Sequence, residues 1–152
     1  MILTEIKKMA KLKPDTISLK GNPLIKERPG TGTIRPGHAL KLLSTGNVSP
    51  QDVAGSDGAL SFALENVTQG KEISETYSST DMIRYGCFSS GQEVYARLPA
   101  SAAVIVIGDA LSFSTGGTVK KRTGTEKVIG FALEAVDNHS GTSEVFISME
   151  IK

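Results

Sequence analysis

Polar and apolar residues alternate most regularly at the end of the chain. Val145, Ile147, Met149 and Ile151 fall on one side of an extended backbone, and Glu144, Phe146, Ser148 and Glu150 on the other. A period of two predicts a half-buried strand. The run "QEVYARL" alternates in the same way, and "AAVIVIG" is β-branched enough for a central strand. "VIGFALEAV" is apolar almost throughout, as a strand buried on both faces would be, although a buried helical segment has the same pattern. Two shorter apolar runs, "GHALKLL" and "GDALSF", stop at Ser-Thr-Gly, where a glycine free to take positive φ predicts a hairpin. Only residues 2–12 suggest a helix, and a short one.

Several of these phrases occur twice. "SFALENV" closes on Val67 and "GFALEAV" on Val136; "GHALKLLSTGNV" begins at Gly37 and "GDALSFSTGGTV" at Gly108. The first glycines stand 71 positions apart and the phenylalanines Phe62 and Phe131 stand 69 apart, a drift that one small turn indel explains. The chain therefore carries an internal repeat over about residues 37–67 and 108–136, marked by Gly37, Leu40, Phe62 and Leu64 in one copy and Gly108, Leu111, Phe131 and Leu133 in the other. Two copies are too few for an open solenoid. They suit a mainly β, compact barrel or sandwich built from two duplicated hairpin units, each covering the apolar face of the other.

Residues 1–30 differ from the rest. They hold seven basic residues against three acidic ones, net +4, whereas residues 31–152 are net −3. Pro14, Pro23 and Pro29 disfavour a packed helix or central strand. Ile2, Leu3, Ile6, Leu12, Ile17, Leu19, Leu24 and Ile25 make the segment too apolar for a free tail. The expectation is an extended N-terminal arm, residues 1–30, ordered against its own domain or, by preference, a neighbour, with the β-rich domain at 31–152. A basic nucleic-acid tail would leave the apolar residues unexplained.

Candidate chemistry is sparse. One Cys rules out an internal disulfide and a Cys-based zinc cluster, and it suits assembly in a reducing cytoplasm. The opening stretch has no apolar run of signal-peptide length, and no segment is long enough to span a membrane. A formal charge of +1 gives no reason to expect nucleic acid. His38 replaces Asp109 of the other repeat and reads as an exposed turn residue; His139 lies in the turn sequence "DNHSG". Cys87 lacks an evident histidine partner and reads as a small, semi-buried side chain. Glu65 and Glu134 are matched acids of the repeat and read as strand-end residues rather than a glycosidase pair. "RPGTGTIRPG" lacks the Gly-Lys-Ser/Thr of a phosphate loop. These residues predict no enzyme, no cofactor and no metal.

The pattern carried by Gly108, Asp109, Leu111, Gly130, Ala132, Leu133 and Glu134, followed by the alternating strand at the end, resembles the head decoration (capsid cement) proteins of tailed bacteriophages; residues 37–67 follow it more loosely. The resemblance implies a structural virion protein on the outer surface of an expanded head, made in the host cytoplasm. Its partners would be the major capsid protein and itself, as a homotrimer bridging capsid subunits, with neither nucleic acid nor membrane involved. A tail or baseplate module, or a carbohydrate-binding domain, is the alternative, and the absence of Trp argues against sugar binding.

Overall fold

The computed structural model describes residues 16–152. The chain is mainly β: the described residues form eleven strands in two antiparallel sheets packed as a sandwich, and the sole helical element among them is one 3-10 turn, Val67–Gln69. The last alternating run forms β11 (Val145–Ile151), which pairs along six residues with β7 (Glu93–Leu98). Ile147, Met149 and Ile151 point into the main core with Val94, Ala96 and Leu98, so the period of two is realised as expected. Burying the five larger of these side chains at about 1.5–3 kcal/mol each makes this pair the apolar centre of the molecule.

The two sheets are copies of one another. In the five-stranded sheet β2 (Leu24–Pro29), β3 (Ala39–Leu42), β4 (Val48–Pro50), β5 (Ser61–Ala63) and β6 (Met82–Cys87) lie in the order β2-β6-β5-β3-β4. In the other sheet β7, β8 (Ala110–Phe113), β9 (Val119–Lys121), β10 (Gly130–Ala132) and β11 lie in the order β7-β11-β10-β8-β9, the same arrangement. Registers correspond as well. Ala39 pairs with Phe62 and Ala110 with Phe131; Leu42 pairs with Val48 and Phe113 with Val119. Phe62 and Phe131 therefore occupy equivalent positions, and the repeated unit is five strands, longer than the sequence match. Its outer strands, β2 and β7, share no recognisable sequence and were invisible as a repeat.

The described half of the expected arm, residues 16–30, is part of the fold. Residues 18–20 form β1 (Ser18–Lys20), an added edge strand beside β7, and Ile17 is fully buried in the main core. Leu24 and Ile25 belong to β2, which pairs with β6 over six residues from Leu24↔Cys87 to Pro29↔Met82. The domain therefore begins well before residue 31. Pro23 and Pro29 are accommodated because β2 is an outer strand, where a missing donor costs no ladder bond. Past β2, Gly30 forms a parallel bridge to Val48, so the two outer strands of the five-stranded sheet meet and the sheet curls around Ile34, Leu40, Val48, Ala63, Tyr77, Ile83 and Tyr85. Ile2, Leu3, Ile6 and Leu12, and the helix expected at 2–12, lie outside the described residues.

Two other expectations change. "AAVIVIG" is not a central strand: Ile105 alone bridges to Val136, while Val104, Val106 and Ile107 are exposed. "VIGFALEAV" is buried on both faces only in its first-unit counterpart, where Ser61, Phe62, Ala63 and Leu64 are all buried; Phe131 and Leu133 face solvent. Gly130 within it has a steric cause, since a Cβ there would overlap the Glu150 carbonyl of β11.

Ile17→Ala should cost about 2–5 kcal/mol of stability, read from a denaturant midpoint with unchanged slope. Deleting residues 1–28, which removes β1 and most of β2, should abolish cooperative unfolding, whereas a chain starting at residue 16 keeps every described strand.

Candidate functional site

The repeated Gly-x-Ala-Leu phrase opens on a tight turn in both units. In the first, Arg35-Pro36-Gly37-His38, the His38 N–H donates to the Arg35 carbonyl at 3.0 Å; in the second, Asp109 N–H donates to Val106 at 3.1 Å. Gly37 and Gly108 sit at φ of 92° and 88°, where any side chain would be strained, which is why both copies keep glycine. The side chain after each glycine then caps its own turn. His38 Nδ1 accepts from the Arg35 N–H at 3.1 Å, and Asp109 Oδ2 accepts from the Val106 N–H at 2.9 Å. The two residues are interchangeable in the alignment because an imidazole nitrogen and a carboxylate oxygen do the same work here.

His38 has a second partner that Asp109 lacks. Its Nε2–H donates to the Glu144 carboxylate at 2.9 and 3.2 Å, and the ring is buried, contrary to the exposed setting expected from sequence. Because Nδ1 accepts a backbone hydrogen bond, the proton resides on Nε2. Both nitrogens are committed, so this imidazole has no free lone pair to act as a base.

Glu144 also faces Arg97, whose Nη1 lies 3.6 Å from Oε1. Arg97 is buried, stacks over the Phe146 ring at 4.3 Å, and donates from Nε to the Pro36 carbonyl at 2.6 Å and from Nη2 to the Ile73 carbonyl at 2.8 Å. Burial lowers its pKa to about 10 against the opposing pull of Glu144, so it remains a cation at neutral pH. For Glu144, burial would raise the pKa, but the His38 hydrogen bond and the positive charges of Arg97 and Arg35 outweigh it and hold the carboxyl below its usual range. Sequence reasoning missed this cluster. An arginine within the alternating "QEVYARL" was its one available signal.

Beside the turn, a cleft of about 580 Å³ runs between the units, lined by Thr33, Arg35, His38, Thr115, Thr118, Ser143 and Glu144. Arg35 Nε is engaged by the Thr76 hydroxyl at 3.1 Å. Of the remaining candidates, Cys87 is half-buried beside the Ser61 hydroxyl, and His139 is exposed in its turn. Glu65 accepts from the Thr16 hydroxyl at 2.6 Å and the Ile17 N–H at 3.0 Å, while Glu134 accepts from the Ser148 N–H at 2.9 Å. The matched acids thus tie down neighbouring backbone in each unit. Among the described residues, no three His, Cys, Asp or Glu side chains converge as a metal ion would require.

The fold and these contacts define a duplicated, all-antiparallel two-sheet protein whose polar cluster joins one copy to the other. No family model and no curated protein matches the chain. Among solved structures, the N base of head fiber gp8.5 in bacteriophage phi29 has a similar fold, with a TM-score of 0.55 and 10% identity over 86% of this chain and 95% of that one. At that identity the likeness is one of fold.

His38→Ala should destabilise the protein by about 1–3 kcal/mol, because the Arg35 N–H and Glu144 each lose a partner. His38→Asp, copying the second unit, should not rescue it, since a carboxylate would then face Glu144; thermal melts of both variants check this. The Glu144 carboxyl has a lowered folded-state pKa, so its contribution is complete above its unfolded value near 4.5 and is lost as pH falls through the lower folded value. Glu144→Gln should therefore lose stability at neutral pH and flatten the acid limb of the stability–pH curve.

Proposed function

We propose that this protein is a structural, non-catalytic component of a tailed-phage head, attached to the outer capsid surface. The observation that carries the reading is the fold shared over most of both chains with the base of a phage head fiber. The sequence resemblance to head decoration proteins, found on Gly108, Asp109, Leu111 and the Gly130–Glu134 phrase, supports the same class independently. The chemistry on display agrees with a binding role. His38 is locked between a turn and Glu144, and the matched acids are spent on backbone N–H groups.

In this reading the protein contacts the major capsid protein and associates with itself as a homotrimer, bridging capsid subunits. A clip that binds the assembled lattice in preference to free subunits stabilises that lattice by mass action. Repetition over many sites multiplies a modest contact. Residues 1–15, which carry Lys7, Lys8, Lys11 and Lys13 against Glu5 and Asp15, would supply a salt-sensitive part of the capsid contact.

Full-length protein should co-sediment with expanded phage heads and raise the temperature at which they rupture. A chain starting at residue 16 should bind at least about 10-fold more weakly, with the difference shrinking at high salt. Failure of the full-length protein to bind heads of any state would sink the proposal.

A further inference from the structure

Because the two units share one topology, each surface of one has a counterpart in the other, and burial at equivalent positions can be compared directly. Four positions differ sharply. Phe62 and Leu64 are 0% and 2% exposed, but their counterparts Phe131 and Leu133 are each 37% exposed. Pro36 is buried under the second unit, whereas its counterpart Ile107 is 70% exposed. Space above Gly37 is filled by Arg97, Phe146 and the Tyr95 carbonyl, all within 3.3 Å of where a Cβ would stand; space above Gly108 is empty to 4 Å. The first unit thus docks its turn onto β7 and β11 of the second, and among the described residues nothing docks on the second unit's turn.

We infer that the free face of the second unit, Ile107, Phe131 and Leu133, is a self-association surface that docks head-to-tail on β2 and β6 of a second copy of this chain. The inference rests on the self-association proposed above and names where it occurs. The occupant follows from the duplication. Strands β2 and β6 are the counterparts of β7 and β11, and the registers map Tyr95, Arg97 and Phe146 onto Glu27, Pro29 and Met82. Those three are exposed, with exposed Ile25 beside them. Each chain therefore presents one unused turn face and one unused strand face of the kinds already joined inside it. The turn face is more apolar in the second unit, with Ile107 replacing Pro36 and Val106 replacing Arg35. A contact between two different surfaces propagates from copy to copy until it closes as a ring.

Sedimentation velocity of the full chain without heads tests this. Wild type should assemble as concentration rises. Phe131→Glu and Met82→Glu, each at an exposed side chain, should leave the melting temperature within a few degrees and weaken assembly by roughly 100-fold. Mixing the two variants should restore a dimer and nothing larger, because each keeps the half that the other has lost. Wild-type assembly by Phe131→Glu, or a mixture that stays monomeric, overturns the head-to-tail contact. If Phe131→Glu assembles normally but no longer binds heads, the face belongs to the capsid protein instead. A monomeric wild type that still binds heads removes this contact and leaves the head-binding proposal intact.

Discussion

The guanidinium of Arg97 fastens one half of the molecule to the other. It is buried between the units, reaching the Pro36 and Ile73 carbonyls of the first and stacking on Phe146 of the second. A buried cation without partners would be costly, so its position depends on those two carbonyls and on Glu144. Glu144 in turn holds His38, and His38 holds the turn that opens β3. Charge neutralisation and backbone capping are thereby combined in three side chains. Polar geometry fixes how the first unit's turn meets the second, while Phe62 and Phe88 of the first unit share the main apolar core with Val94 and Ile147 of the second.

Duplication followed by divergence accounts for most of what distinguishes the halves. The framework positions are preserved: Leu40 and Leu111, Val48 and Val119, Ile34 and Ile105 all remain buried. Divergence is concentrated at the junction. The second unit has the strand pair that receives a turn, and the first unit has the polar turn that is received. A symmetric pair of units would have buried both phenylalanines of the repeated phrase; burying only one leaves the molecule with two distinct ends.

The strands with strict alternation were legible in sequence, because period two on a half-buried surface admits one register: β7 and β11 are the cases. The repeat was legible where a positive φ requires glycine, as at Gly37 and Gly108. Its outer strands were not, since β2 and β7 need only to extend and to pair, which many side chains permit. "AAVIVIG" misled for a related reason: β-branched apolar residues favour a strand locally, but the segment has a single bridging partner. His38 misled because an aligned Asp suggested exposure. The shared requirement was a hydrogen-bond acceptor for the turn, and burial was decided by Glu144, more than a hundred residues away. Within the arm expected over residues 1–30, β1 and β2 are strands of the sheets, because an outer strand tolerates proline equally well.

The Glu65 carboxylate, which grips the Thr16 hydroxyl and the Ile17 N–H, also decides how the molecule bears force. A pull applied at Thr16 loads the described part of the fold from its N-terminal side. There it meets a charged hydrogen-bond clasp, the buried Ile17 side chain and the Ile17 carbonyl held by the Tyr95 N–H at 2.8 Å. Tension is delivered to the β1 edge of the larger sheet before it can peel β2 from β6. A load applied from that end is therefore borne first by the Glu65 contacts and the buried Ile17, and only afterwards by the β2–β6 ladder.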